Sequence, residues 1–150
     1  MKRVTTATLL MILTALASQQ ASATTYFGMI TLTLSVNISS ATVVPQGGSI
    51  VCTLSASVSD PDALANIESV TATATVANSV ATCNLTIPYE WVLSTPGSDL
   101  ITLEYSAFIL PSGSTSLAAL GTRSGTHSLP SITGVGASGS HVSLTAETRL

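Results

Sequence analysis

The sequence predicts an all-β protein, an antiparallel two-sheet sandwich closed by one disulfide. Three observations carry this expectation. Apolar side chains recur at every second residue in five separate runs, the period of a half-buried strand. The only two cysteines, Cys52 and Cys83, fall on the apolar side of two of those runs. Turn-forming residues break the runs at short intervals, and no helical period of useful length separates them, so a parallel βαβ arrangement is not expected.

The elements follow in chain order. Residues 1–23 read as an export signal. Lys2 and Arg3 open it, Val4 to Ala17 carries no charge, and Ala21-Ser22-Ala23 supplies the small residues of a cleavage site. The apolar run is shorter than the roughly 20 residues that cross a bilayer as a helix. Cleavage near Ala23 leaves one domain, residues 24–150.

The first strand of that domain is read from Ile30, Leu32, Leu34, Val36 and Ile38, with Thr31, Thr33, Ser35 and Asn37 on the other face. The second carries Ile50, Cys52, Leu54, Ala56 and Val58 on one parity and Val51, Thr53, Ser55 and Ser57 on the other. Asp62 to Ile67 is read as one short helical turn. Val70, Ala72, Ala74 and Val76 then alternate with Thr71, Thr73 and Thr75. Ala81, Cys83, Leu85 and Ile87 alternate with Thr82, Asn84 and Thr86, and Ile101 to Ile109 repeats the pattern. Thr on the wet face suits a pleated backbone.

Breaks at Pro45-Gln46-Gly47-Gly48, Asp60-Pro61-Asp62, Ala77-Asn78-Ser79, Thr95-Pro96-Gly97 and Pro111-Ser112-Gly113 carry turn chemistry. Residues 112–140 are rich in Ser, Gly and Thr, with short strands read near Leu117 to Leu120 and Ser131 to Val135. Val142, Leu144 and Ala146 mark a last strand. In an oxidising compartment Cys52 and Cys83 are expected to pair, and their inward parity suits a bridge between two sheets.

Composition narrows the function. Of 150 residues, 23 are Ser and 23 Thr, and only 7% are charged, against about 25% in an ordinary soluble domain. Residues 24–150 hold Arg123 and Arg149 against seven carboxylates and no lysine, a formal balance of −5. Two cations cannot neutralise a run of phosphates, so a nucleic-acid partner is not expected. No apolar stretch after residue 23 approaches the length of a membrane helix.

Candidate sites are few. Ile87-Pro88-Tyr89-Glu90-Trp91 holds the only Trp. Trp91 continues the inward parity of Cys83, Leu85 and Ile87, so it is expected to cap the core. The functional alternative makes Tyr89, Glu90 and Trp91 a platform for a sugar or a small ligand. Gly134 to Gly139 matches G-x-G-x-x-G, but the acid needed about 20 residues further on is missing. His127 and His141 are read as exposed loop residues, and no G-x-S-x-G elbow accompanies the many serines. Glu90 with Asp99, or Asp60 with Asp62, would be the carboxylate pairs of a glycosidase, and Asp60, Asp62 and Glu68 the oxygen ligands of a calcium site. Turn chemistry accounts for Asp60-Pro61-Asp62 more simply. Asn37-Ile38-Ser39 and Asn84-Leu85-Thr86 fit the glycosylation pattern. No catalytic group, cofactor or metal site is expected.

With these features in place, the chain resembles bacterial exported immunoglobulin-like β-sandwich proteins. It is similar in style to chaperone/usher pilin subunits, which also join a signal to a hydroxyl-rich, single-disulfide domain. The resemblance implies a structural or adhesive role at the cell surface or in the periplasm, as in a fimbrial-type subunit. Its partners would be other protein subunits or surface glycans. It also implies that Ile30, Leu32, Leu34, Val36 and Ile38 act as a donor strand completing a neighbour's sheet. The same stretch serves equally as an ordinary first strand. The chain ends Glu147-Thr148-Arg149-Leu150 where those subunits carry a penultimate Tyr, and, set against antibody-like domains, Trp91 follows both cysteines instead of lying between them.

Overall fold

The computed structural model describes residues 24–58, 66–93, 101–112, 122–128 and 139–150. The export signal at 1–23, Asp60, Asp62, Asp99, most of the Ser/Gly-rich part, and the short strands read near 117–120 and 131–135 lie outside the described residues.

Among the described residues, seven strands appear in chain order: β1 Thr24–Asn37, β2 Ser49–Val58, β3 Asn66–Ala74, β4 Val80–Leu93, β5 Ile101–Leu110, β6 Thr122–Ser128 and β7 Ser140–Arg149. They form two sheets, ordered β4-β1-β7 and β3-β2-β5-β6. The protein is therefore an all-β, two-sheet structure, as the alternation predicts. Two elements differ from expectation. Asn66 and Ile67, read as the end of a helical turn, begin β3. Thr122 to Ser128 forms β6, so His127 stands on a strand opposite Leu103 instead of in a loop.

Parity sorts the side chains onto faces. Ile30, Leu32, Leu34 and Val36 of β1 lie opposite Ile87, Leu85, Cys83 and Ala81 of β4, and all eight are buried. Ile50, Leu54, Ala56, Val58, Ile101, Leu103, Ala107 and Ile109 face them from the other sheet. Each fully buried Leu or Ile contributes roughly 1.5–3 kcal/mol relative to exposure. Cys52 on β2 and Cys83 on β4 form the disulfide, with Cα atoms 6.3 Å apart, so the bond ties one sheet to the other through this core.

Pairing is antiparallel throughout except for β1 with β7, which run parallel from Gly28↔Ser140 to Asn37↔Arg149. Among the described residues, that pair is the one departure from an antiparallel sandwich. It makes β1 the central strand of its sheet. Val51 and Phe108, opposite each other on the face away from the core, are also buried, an exception to the polar parity read for Val51.

The turns explain how the chain changes sheet. Asn78 (φ 52°) and Ser79 (φ 64°) are both left-handed. Ala77 and Val80 exchange backbone hydrogen bonds of 2.8 and 3.0 Å around them. Two positive φ values in a two-residue turn define the type I′ geometry, which Asn tolerates. This turn hands the chain from β3 in one sheet to β4 in the other, and Ile38 N–H donates to Ser79 O at 2.8 Å, pinning it to the end of β1. At Pro45 to Gly48 the Gly48 N–H donates to Pro45 O at 2.8 Å, and Gly47 takes φ +75°, the position where a type II turn demands glycine.

Candidate functional site

The outer face of the β4-β1-β7 sheet is built from the residues that parity turns away from the core. Across most of it these are hydroxyls and amides. Thr31 lies opposite Thr86 and Ser143, and Thr33 opposite Asn84 and Thr145. Thr31 and Thr86 hydroxyls approach to 3.4 Å, and the Thr33 hydroxyl donates to Asn84 Oδ1 at 3.2 Å. Cross-strand pairs of this kind hold side chains in place on a sheet, at roughly 0.2–1 kcal/mol each. Asn84 is exposed and Asn37 half-exposed on this face.

At the start of β1 the character changes. Phe27 is 47% exposed, Met29 40% and Val92 51%. Phe27 lies opposite Glu90, and Met29 opposite Pro88 and His141. Pro88 can occupy this register because β4 pairs only with β1 among the described residues, and an edge strand tolerates a missing N–H. An open concavity of about 700 Å³ forms here. Phe27, Met29, Pro88, Glu90, His141 and Glu68 surround it, with Gly28, Tyr89, Gly139 and Ser140 completing its wall. His141 Nε2 lies 3.2 Å from Thr31 Oγ1. His141 is exposed, on β7, and not in a loop as its Gly-rich surroundings suggested.

Gly28 positions the wall. Its register partner is Tyr89, and a Cβ built on Gly28 would stand 2.6 Å from the Tyr89 Oη and still closer to the Ser140 carbonyl oxygen. The absence of a side chain lets the tyrosine ring lie across the strand. Gly125 and Tyr105 repeat the device between β6 and β5, where a Cβ on Gly125 would collide with the ring.

The structure divides the platform residues read from the sequence. The rings of Tyr89 and Trp91 stack at 4.6 Å with 26° between planes, and both are buried, at 3% and 1%. Glu90, between them, points to the opposite face and is exposed. The three therefore present no common surface, and only Tyr89 and Glu90 border the concavity. The indole Nε1 of Trp91 is buried without a hydrogen-bond partner.

The proposed donor stretch is the middle of this chain's own sheet. It pairs with β4 on one side and β7 on the other, with Ile30, Leu32, Leu34 and Val36 buried and Ile38 half-buried at its end. Service to a neighbour would require leaving both partners. Among the described residues, no three His, Cys, Asp or Glu side chains gather as a metal group. Nor, among the described residues, is there a helix long and apolar enough to cross a membrane. Glu68 of the suggested calcium set is exposed on β3.

Phe27 and Met29 escaped the sequence reading, which began the strand at Ile30. The signal was present in Tyr26-Phe27-Gly28-Met29-Ile30, where apolar residues occupy both parities, so one set must face outward. These features define a disulfide-stapled β-sandwich with an apolar, acid-rimmed concavity at one end of a hydroxyl face. Compared with protein-family models, curated proteins and solved structures, the chain has no match.

Proposed function

We propose that the protein acts outside the cytoplasm, after removal of its signal near Ala23, as a non-catalytic adhesive or structural module of immunoglobulin-like type, in the manner of a fimbrial subunit. The outer face of the β4-β1-β7 sheet is its contact surface. The observation that carries this reading is the exposure of Phe27, Met29 and Val92 together at one end of a sheet face whose middle is lined by Thr, Ser and Asn. Apolar side chains gathered in this way mark an interaction site more often than chance exposure does. The burial of Tyr89 and Trp91 favours contact through this patch over stacking of a sugar on those rings.

The test is adhesion. Beads coated with the oxidised protein are expected to adhere to the surface of cells that export it. Beads carrying Phe27→Ser with Met29→Ser, whose side chains lie outside the core, should adhere less than one-third as well. Equal adhesion by both would remove this face from the function. Retention of the full chain in the cytoplasm with two free thiols would remove the exported setting.

A further inference from the structure

We infer that the concavity beside Phe27 and Met29 receives an arginine or lysine side chain from an extended, partly apolar segment of a partner protein. This inference rests on the outer-face reading above and names its partner's chemistry.

Charge decides the sign of the guest. Glu90 and Glu68 both border the concavity and both are exposed. The chain offers little to neutralise them: residues 24–150 contain no lysine and only Arg123 and Arg149, and His141, the one imidazole bordering the concavity, has its Nε2 3.2 Å from Thr31 Oγ1. Arg123 lies on β6, opposite Ala107, at the edge of the other sheet. Arg149 lies opposite Asn37, eight residues along β1 from Met29, or about 26 Å at the rise of a strand. The segments outside the described residues add no Lys or Arg after residue 23. Even the α-amino group that signal removal would leave at Thr24 offsets only one of the two carboxylates.

The apolar surroundings decide the rest. A guanidinium or ammonium group gains from an aromatic face within about 6 Å of its charge, and the methylene stem of Arg or Lys packs on apolar surface. Phe27 and Met29 offer both, directly beside Glu90 and His141 in the register of the sheet. A volume of about 700 Å³ has room for one such side chain and its apolar neighbour.

The probe is an acetylated, amidated five-residue peptide of alternating valine and arginine, with valine–glutamine and valine–glutamate counterparts. Each is titrated into the exported, oxidised protein and followed by NMR at the Met29 methyl and Phe27 ring. The arginine peptide is expected to shift both signals, and the other two are not. Glu90→Gln or Glu68→Gln should weaken binding roughly 1.5- to 5-fold, the range of an exposed ion pair. Raising the salt to 0.5 M should weaken it as well.

Equal binding of the glutamine peptide would overturn the inference while leaving the outer-face reading intact. So would silence from all three peptides when the Phe27→Ser, Met29→Ser beads still lose adhesion. Concentration-dependent self-association abolished by Arg149→Gln would assign the site to a second copy and equally overturn the inference. Loss of both peptide binding and the bead effect would remove the reading beneath it.

Discussion

Breaking the Cys52–Cys83 bridge gives the sharpest quantitative test of the architecture. The two residues are separated by 31 positions. In the chain-entropy model a closed loop of that length restrains the unfolded chain by about 3.7 kcal/mol at 25 °C. Cys52 and Cys83 are also buried to 0% and 1% exposure, so truncation to Ala removes packed sulfur and adds about 1 kcal/mol per site. Reduction of the unaltered protein should therefore lower unfolding stability by about 3–4 kcal/mol, and Cys52→Ala with Cys83→Ala by about 5–6 kcal/mol. Against a total of about 5–15 kcal/mol for a domain, either change removes at least about a fifth of the stability. Urea unfolding followed by Trp91 fluorescence measures both, and the dependence on urea should steepen because the released chain exposes more surface. Each single substitution should match the double within about 1 kcal/mol, since either one opens the same bond. A loss below about 1 kcal/mol on reduction would refute the view that the core leans on this staple.

Three further substitutions probe local geometry. Gly28→Ala should cost about 1–3 kcal/mol in urea unfolding, because its Cβ meets the Ser140 backbone as well as the Tyr89 hydroxyl; an unchanged midpoint would contradict the packing described. Ser79→Gly should stabilise by roughly 0.5–1 kcal/mol, since relief of a left-handed serine outweighs the added chain entropy of glycine. That gain appears as a melting temperature higher by about 2–6 °C, and a lower one would contradict the type I′ assignment. Trp91→Phe should cost less than about 1.5 kcal/mol in urea unfolding followed by circular dichroism, because the indole N–H it removes is an orphan buried donor. A loss near the 3–5 kcal/mol of Trp→Ala would show that the N–H has a partner after all.

How much of this was legible follows from what alternation encodes. Parity assigns faces, so the inward residues of β1, β2, β4, β5 and β7 and the sheet-to-sheet disulfide were readable from residue types alone. Parity does not name neighbours, and the parallel pairing of β1 with β7 left no local trace. β6 was missed because Thr122 to Ser128 has no apolar alternation; its place is set by hydrogen bonding to β5, with Gly125 opposite Tyr105. Ile67 was misread because its side chain is exposed at the end of an edge strand. At the site, Glu90 was singled out from the sequence. Its companions Phe27, Met29, Glu68 and His141 come from three strands in two sheets, a juxtaposition that strand register and the packing of the two sheets supply.

One chain completes its own sheet around β1, which leaves the outer face free for the partner proposed above. Amide hydrogen exchange on the oxidised monomer tests this directly. As the middle strand between β4 and β7, Ile30 to Val36 should exchange as slowly as the global unfolding free energy permits. Rapid exchange along that stretch in the monomer, slowing only when chains associate, would show that it belongs to a neighbour's sheet and would contradict the account.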